Sequence, residues 1–200
     1  MTTIITGDII NSKEVPPELW LAALKSVLNS LGNTPKTWDI FRGDSFQFEV
    51  PPQKALHACL LIKATIKQFK NLDVRLAIGL GNKTFDSERI TESNGTAFIN
   101  SGACFEALKK TTLAIKSPFE AFDIPMNIMI QLALLTINYW TQTTAGLVKT
   151  TLEHPELNQK QIANLLGKTQ GNISQGLKRA GFDELSILLE YYKTQINTLC

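Results

Sequence analysis

Apolar positions along the first 116 residues switch repeatedly between a period of two and a helical period. Thr3-Ile4-Ile5-Thr6-Gly7-Asp8-Ile9-Ile10 is a β-branched run with one acid in it, the pattern of a buried strand. Pro16-Pro17 leads into a helix over about 17–31, with Leu21, Leu24, Val27, Leu28 and Leu31 at helical spacing and Gly32-Asn33 as its stop. Trp38 to Phe41 enters a hairpin, Gly43-Asp44 turns it, and Phe46, Phe48 and Val50 alternate along the return strand. Pro51-Pro52 ends that strand, and a second helix runs to about Phe69 on Leu56, Leu60, Ile62 and Ile66. Leu72 to Gly81 reads as a strand whose late glycines mark a close backbone approach or a bend. Gly95-Thr96 opens a third helix toward Leu108, and Thr111 to Lys116 is a last short strand.

The order strand, helix, hairpin, helix, strand, helix, strand predicts an α/β (α+β) sandwich of the ferredoxin-like kind over residues 1–117. It would have one mostly antiparallel sheet with helices on one face. In that topology the first strand lies beside the hairpin turn, so Asp8 and Asp44 meet at one sheet end. A charge in an apolar strand needs a cation, N–H donors or solvent. Two adjoining carboxylates repel, and Mg²⁺ or Mn²⁺ relieves this while orienting a nucleoside triphosphate. Ser12, Lys13 and Arg42 are then candidate phosphate contacts. Read in isolation, Asp44 is more readily a turn former and Lys13 a solvated charge.

Residues 118–150 read as a connector. Ser117 to Pro125 is a linker, with Asp123 a candidate cap and Pro125 in the first turn of the next helix. From Met126 to Ala145 apolar residues nearly encircle the helix, which predicts a buried element between two domains or in a homodimer interface.

Residues 151–200 carry the most specific local signal. Asn158-Gln159-Lys160-Gln161 is a capping box, Gly167 ends the helix it opens, and Thr169 caps a second helix over about 170–180. Gln159, Ala163, Gly167, Ile173 and Leu177 fall at helix-turn-helix spacing: Ala for a close crossing, Gly for the turn, Ile and Leu inward. The wheel turns Gly171, Asn172, Ser174, Gln175, Lys178 and Arg179 outward, with Thr169 and Gln170 at the start. Asn and Gln pair bidentately with adenine; Lys and Arg take phosphates or guanine. These residues are the candidate contacts to double-stranded DNA, with protein docking as the competing use of such a module. A closing helix is expected over about 183–192.

Composition changes this picture only locally. A formal net charge of +2 over 200 residues implies no partner. From Leu157 through Gly181, however, there is no Asp or Glu while Lys160, Lys168, Lys178 and Arg179 are present. Cys59, Cys104 and Cys200 are odd in number and form no Cys-x-x-Cys pair, which fits reduced thiols. His57 and His154 stand alone. The start lacks a basic, long apolar leader, and Met126 to Trp140 is interrupted by Asn127, Gln131 and Asn138. A cytoplasmic protein without membrane insertion is the expectation.

"ITGDIINS", "FRGDSF" and "VRLAIGLG", in that order, resemble the palm of class III nucleotidyl cyclases and their diguanylate-cyclase relatives. More closely, residues from Thr3 to about Leu108 resemble SatD-like proteins, bacterial proteins with a cyclase-like core. The resemblance implies metal ligation by Asp8, the carbonyl of Ile9 and Asp44. It also implies nucleotide contacts among Asn11, Ser12, Lys13, Arg42, Gly43 and Asn100. The pattern departs where purine-selecting cyclases place a Lys, here Ile40, and where the late helix offers Asn100 without an arginine. The text around Gly167 to Gly181 looks like bacterial regulators. Three functions follow as expectations: a dimeric DNA-binding regulator that senses a metal-bound nucleotide, an active nucleotidyl enzyme with a docking module, or a regulator on an inert palm.

Overall fold

The computed structural model describes residues 1–199, so Cys200 lies outside the described residues. These residues form a five-stranded mixed sheet and eight α-helices. The strands are β1 (Thr2–Ile10), β2 (Trp38–Phe41), β3 (Ser45–Val50), β4 (Asp73–Gly81) and β5 (Leu113–Lys116), in the order β2-β3-β1-β4-β5. Neighbours are antiparallel except β4 and β5, which run parallel. The helices are α1 (Pro17–Leu31), α2 (Ala55–Ile66), α3 (Thr96–Ala107), α4 (Glu120–Ile137), α5 (Gln142–Glu153), α6 (Gln159–Leu165), α7 (Gln170–Ala180) and α8 (Phe182–Leu199).

Strand alternation decides which side of the sheet is the main core. Ile5 and Ile9 of β1, Phe46, Phe48 and Val50 of β3, and Val74, Leu76, Ile78 and Leu80 of β4 all enter one apolar cluster with α1 and α2. In α1 the inward residues are Trp20, Leu24, Val27 and Leu28; α2 is buried along nearly its whole length. The hairpin loop is three residues, Arg42, Gly43 and Asp44, with Arg42 at φ 55° and Gly43 at φ 90°.

The expectation of helices on a single face is corrected by α3, which lies across β4 and β1 on the opposite face. Ala97 packs on Ile4, Cys104 packs on Ala77, and the Thr6 and Ser101 hydroxyls share a hydrogen bond of 2.7 Å. The late glycines permit this approach. A Cβ on Gly79 would stand 2.2 Å from the Ser101 backbone N, and one on Gly81 would stand 2.5 Å from that of Ala97.

The single buried helix expected over 126–145 is in fact two. α4 begins earlier, so Pro125 sits inside it and not in its first turn, and Asp123 does not cap it. The Asp123 carboxylate instead accepts the Ser117 backbone N–H of the preceding loop at 2.8 Å. The helix breaks at Asn138 to Thr141, where the Thr141 hydroxyl accepts the Thr144 N–H and starts α5. Nor is α4 buried all round. Phe122, Met126, Ile130, Leu134 and Ile137 face inward, while Ile124, Ile128, Leu132 and Leu135 are exposed, as is Tyr139 just beyond the helix end.

α5 and α8 are packed into the core of the sheet half. α5 lies against α2, and Leu185, Leu188, Tyr192 and Ile196 of α8 join the main cluster. The Tyr192 hydroxyl donates to the Pro52 carbonyl at 2.8 Å. α8 therefore runs seven residues beyond the Tyr192 end expected for it, because residues up to Leu199 still find partners on this core.

Candidate functional site

The antiparallel register sets the sheet end. Asp8 lies opposite Ser45 of β3 and opposite Arg75 of β4. The Ile9 N–H donates to the Asp44 carbonyl at 3.2 Å, so Asp44 is brought beside β1 as the topology required. N–H and C=O of one residue share a strand edge, which turns the Ile9 carbonyl toward the hairpin as well.

The two carboxylates nevertheless have separate partners. Asp8 Oδ2 accepts from Arg75 Nη2 at 2.5 Å and Asp8 Oδ1 from the Ser45 hydroxyl at 3.3 Å. Asp44 Oδ2 accepts from the Ser12 hydroxyl at 2.5 Å. The Arg75 guanidinium also lies over the Phe105 ring of α3, 5.3 Å from its centroid, a cation–π contact. Arg75 is thus a member of this sheet end that periodicity did not single out. Its pairing follows from the β1–β4 register, for which the sequence carries no local signal.

The other residues of this end divide. Asn11, at φ 61°, donates through its side chain to the Asn71 carbonyl at 3.0 Å. Ser12 to Glu14 form a short 3₁₀ turn that leaves Lys13 exposed, and Arg42 and Gly43 are both exposed on the hairpin loop. Asn100 is not brought here. It donates to the Leu80 carbonyl at 2.7 Å, and Leu80 lies opposite Thr3 at the far end of β1. Leu80 is five positions along β4 from Arg75, about 16 Å.

The donor set fits a divalent cation poorly as it stands. Asp8 is already neutralised by Arg75, Asp44 is engaged by Ser12, and no cluster of three or more His, Cys, Asp or Glu side chains occurs among the described residues. A hard cation takes six or more oxygen ligands.

The second candidate site is the surface of α6 and α7. Asn158 Oδ1 accepts the N–H groups of Lys160 and Gln161, each at 3.0 Å, and Gln161 Oε1 accepts the Asn158 N–H at 2.9 Å. Gly167, at φ 61°, makes the turn, and the Lys168 N–H donates back to the Ala163 carbonyl at 2.9 Å. Thr169 Oγ1 accepts the Asn172 N–H at 3.2 Å. Ile162, Ala163, Ile173 and Leu177 close on Leu147 of α5 as a small core of their own. Gly176 has a packing reason for its helix cost: a Cβ there would stand 2.5 Å from Leu147 Cδ2. Gly171 faces open space.

Thr169, Gln170, Asn172, Ser174, Gln175, Lys178 and Arg179 are all exposed. Lys178 and Arg179 occupy the last turn of α7, where cations complement the helix dipole. They also border a groove between α4 and α8, a placement the helical wheel alone did not reveal.

No family model matches the chain, and no curated protein or solved structure shows significant similarity to it.

Proposed function

We propose that the protein is a DNA-binding regulator. In this reading α5 to α7 form a helix-turn-helix unit with α7 as its recognition helix, and the sheet half is a ferredoxin-like, cyclase-like palm that serves as sensor. The observation that carries the reading is the outer surface of α6 and α7, where exposed amide, hydroxyl and basic side chains stand in a stretch without acids from Leu157 to Gly181. Gln170, Asn172 and Gln175 would read base edges, Thr169 and Ser174 would take bases or phosphates, and Lys178 and Arg179 would neutralise phosphates. A cytoplasmic homodimer is the setting that operator recognition by two such units calls for.

The palm assignment is supported by the order β2-β3-β1-β4 with α1 and α2 on one face, and by Asp44 lying against β1. Asn11, Ser12, Lys13, Arg42 and Gly43 surround that end and would meet a nucleotide's phosphates. Mg²⁺ or Mn²⁺ on Asp8, Ile9 and Asp44 requires Arg75 to leave Asp8. That requirement favours sensing over turnover, and the active nucleotidyl enzyme becomes the second reading.

The test is fluorescence anisotropy with a labelled mixed-sequence duplex across a salt series, on the wild type and on Gln175→Ala/Lys178→Ala. The expected result is salt-dependent binding that weakens in the variant, with a log–log salt slope shallower by about one, because Lys178 no longer neutralises its phosphate. Absence of binding at low salt overturns the DNA reading. A thermal-shift series with Mn²⁺ or Mg²⁺ and each nucleoside triphosphate, on the wild type and Asp44→Asn, sorts the palm. Stabilisation that disappears in Asp44→Asn marks a nucleotide sensor, consumption of the triphosphate marks an enzyme, and no shift leaves a scaffold.

A further inference from the structure

No Asp, Glu, Lys or Arg occurs from Ile124 through Val148, yet much of that stretch faces solvent. The outward residues of α4 and of the elbow that follows it are ordered. Ile128, Leu132, Leu135 and Tyr139 follow one another at spacings of four, three and four, the seam of a helix that packs on another helix. They are 55%, 61%, 68% and 85% exposed, and they lie opposite the stripe that α4 buries in its own core.

The seam has a ridge and a groove side by side. Ile128, Leu135 and Tyr139 form the ridge. Beside it a groove of about 680 Å³ runs between α4 and α8, walled by Leu132, Ile187 and Tyr191 among others. One surface holding both shapes is complementary to itself under a two-fold axis. The rim is self-complementary too: it carries Lys178 and Arg179 beside Glu184, and none of the three makes an ion pair within the chain among the described residues. At about 200 Å² for a fully exposed side chain, the fractional exposures of the six apolar residues amount to on the order of 750 Å². A standard interface takes about 800 Å² from each partner.

We infer that a second copy of this chain covers this face. The ridge of each α4 enters the α4–α8 groove of the other. A bilayer is the weaker occupant. α4 has the length and apolarity of a membrane span, at 18 residues, but its other side is built into the protein core, and helices that lie on membranes present Lys and Arg beside the apolar face. A concave groove also fits a helix better than a lipid surface. The inference gives the dimeric setting of the proposed function a surface, but its apolar contact stands independently of DNA binding. Because Lys178 and Arg179 border the contact, each α7 would be held at the edge of the dimer seam.

Sedimentation equilibrium over about 1–50 µM tests it on the full chain. The wild type is expected at twice 22.2 kDa. Leu132→Glu and Leu135→Glu are expected at 22.2 kDa with unchanged circular dichroism, since both positions are exposed. Ile99→Glu, 63% exposed on α3, is expected to remain dimeric. A monomeric wild type, or glutamate variants that stay dimeric, overturns the inference. A monomer that floats with phosphatidylserine vesicles overturns it in favour of a lipid surface. DNA binding is read separately, so a dimer that ignores DNA sinks the regulator reading and leaves this one standing.

Discussion

The indole N–H of Trp140 donates to the carbonyl of Ala180, the last residue of α7, at 3.1 Å. Trp140 is buried in the elbow between α4 and α5, so the elbow holds the end of the helix that carries the proposed DNA surface. A helix leaves its last carbonyls without intrahelical donors. The Gly181 N–H serves Leu177 and Lys178, and the indole serves Ala180. Trp140→Phe retains much of the ring packing but orphans that buried carbonyl. It should lower stability by about 1–3 kcal/mol, seen as a lower urea midpoint at unchanged slope, with faster amide exchange confined to the end of α7 and the start of α8. An unchanged midpoint would show that the bond contributes nothing.

A second prediction concerns the ionic bridge between β4 and the same elbow. The fully buried Lys63 ammonium donates to Asp73 Oδ1 at 2.8 Å, to the Val74 carbonyl at 3.1 Å and to the Thr112 hydroxyl at 2.9 Å. Lys67 donates to Asp73 Oδ2 and to the Asn138 carbonyl, both at 3.1 Å. Burial works against ionising Asp73, but Lys63 foremost, with Lys67 and the Val74 N–H, outweighs it and holds the carboxyl below its ordinary range. Burial pulls Lys63 below the lysine range despite its partner. Lys63→Met leaves Asp73 with one cation and should cost about 3 kcal/mol, whereas Lys63→Met/Asp73→Leu should recover part of that loss. The sign for pH follows from the depressed carboxyl: its stabilisation is present above an unfolded pKa of about 3.9 and is lost as pH falls through the lower folded value. Asp73→Asn should flatten that acid limb in urea melts between about pH 4 and pH 2; an unchanged limb would place the acid sensitivity elsewhere.

Local signals carried most of the elements. β1, α1, the hairpin and α6–α7 were legible because alternation, Pro16-Pro17, Gly43 and the caps at Asn158 and Thr169 act within a few residues of where they stand. The elbow was hidden because Tyr139 and Trp140 prolong the apolar run past the helix end; only the capping spacing of Thr141 to Thr144 marked it. Which side of α4 is core is decided by its neighbours, so an all-round apolar helix read as fully buried when half of it is surface. The glycines of β4 announced a close approach but not the helix that makes it. At the candidate site, hairpin topology was enough to bring Asp44 to β1. The Asp8–Arg75 pair depends on the β1–β4 register, a tertiary quantity that no local pattern encodes.

His57 gives a prediction near neutral pH. It sits on α2 with Nε2 3.2 Å from the Leu152 carbonyl of α5. Burial lowers its pKa below 6.5, the carbonyl opposes this, and the Lys54 charge adds to the lowering. The folded state therefore binds this proton less readily than the unfolded chain. Its contribution to stability is full above pH 6.5 and falls as pH drops through that value toward the folded pKa. The urea midpoint of the wild type should be lower at about pH 5.5 than at about pH 7.5, and His57→Gln should narrow the difference. An equal difference in the variant would assign the drop to other groups.

The α3–β4 contact predicts opposite outcomes for the same substitution at two glycines. At Gly79 a Cβ would stand 2.2 Å from the Ser101 backbone N and 2.4 Å from the Ala97 carbonyl oxygen. Neither backbone atom can rotate away, so Gly79→Ala must lift α3 from the sheet, at a cost of about 3 kcal/mol or more. At Gly102, inside α3, a Cβ meets nothing within 4 Å. Gly102→Ala should stabilise by about 0.5–1 kcal/mol through helix propensity and a less free unfolded chain. Because α3 also carries Phe105 over Arg75, lifting it should loosen the Arg75 guanidinium beside Asp8, whereas Gly102→Ala should leave that pair undisturbed. Thermal melts of the two variants, with the Arg75 Nε–H resonance as a local probe, separate these effects. Equal destabilisation by both would mean that Gly79 is not there to admit α3, and a resonance unmoved in Gly79→Ala would mean that α3 does not hold Arg75 at the sheet end.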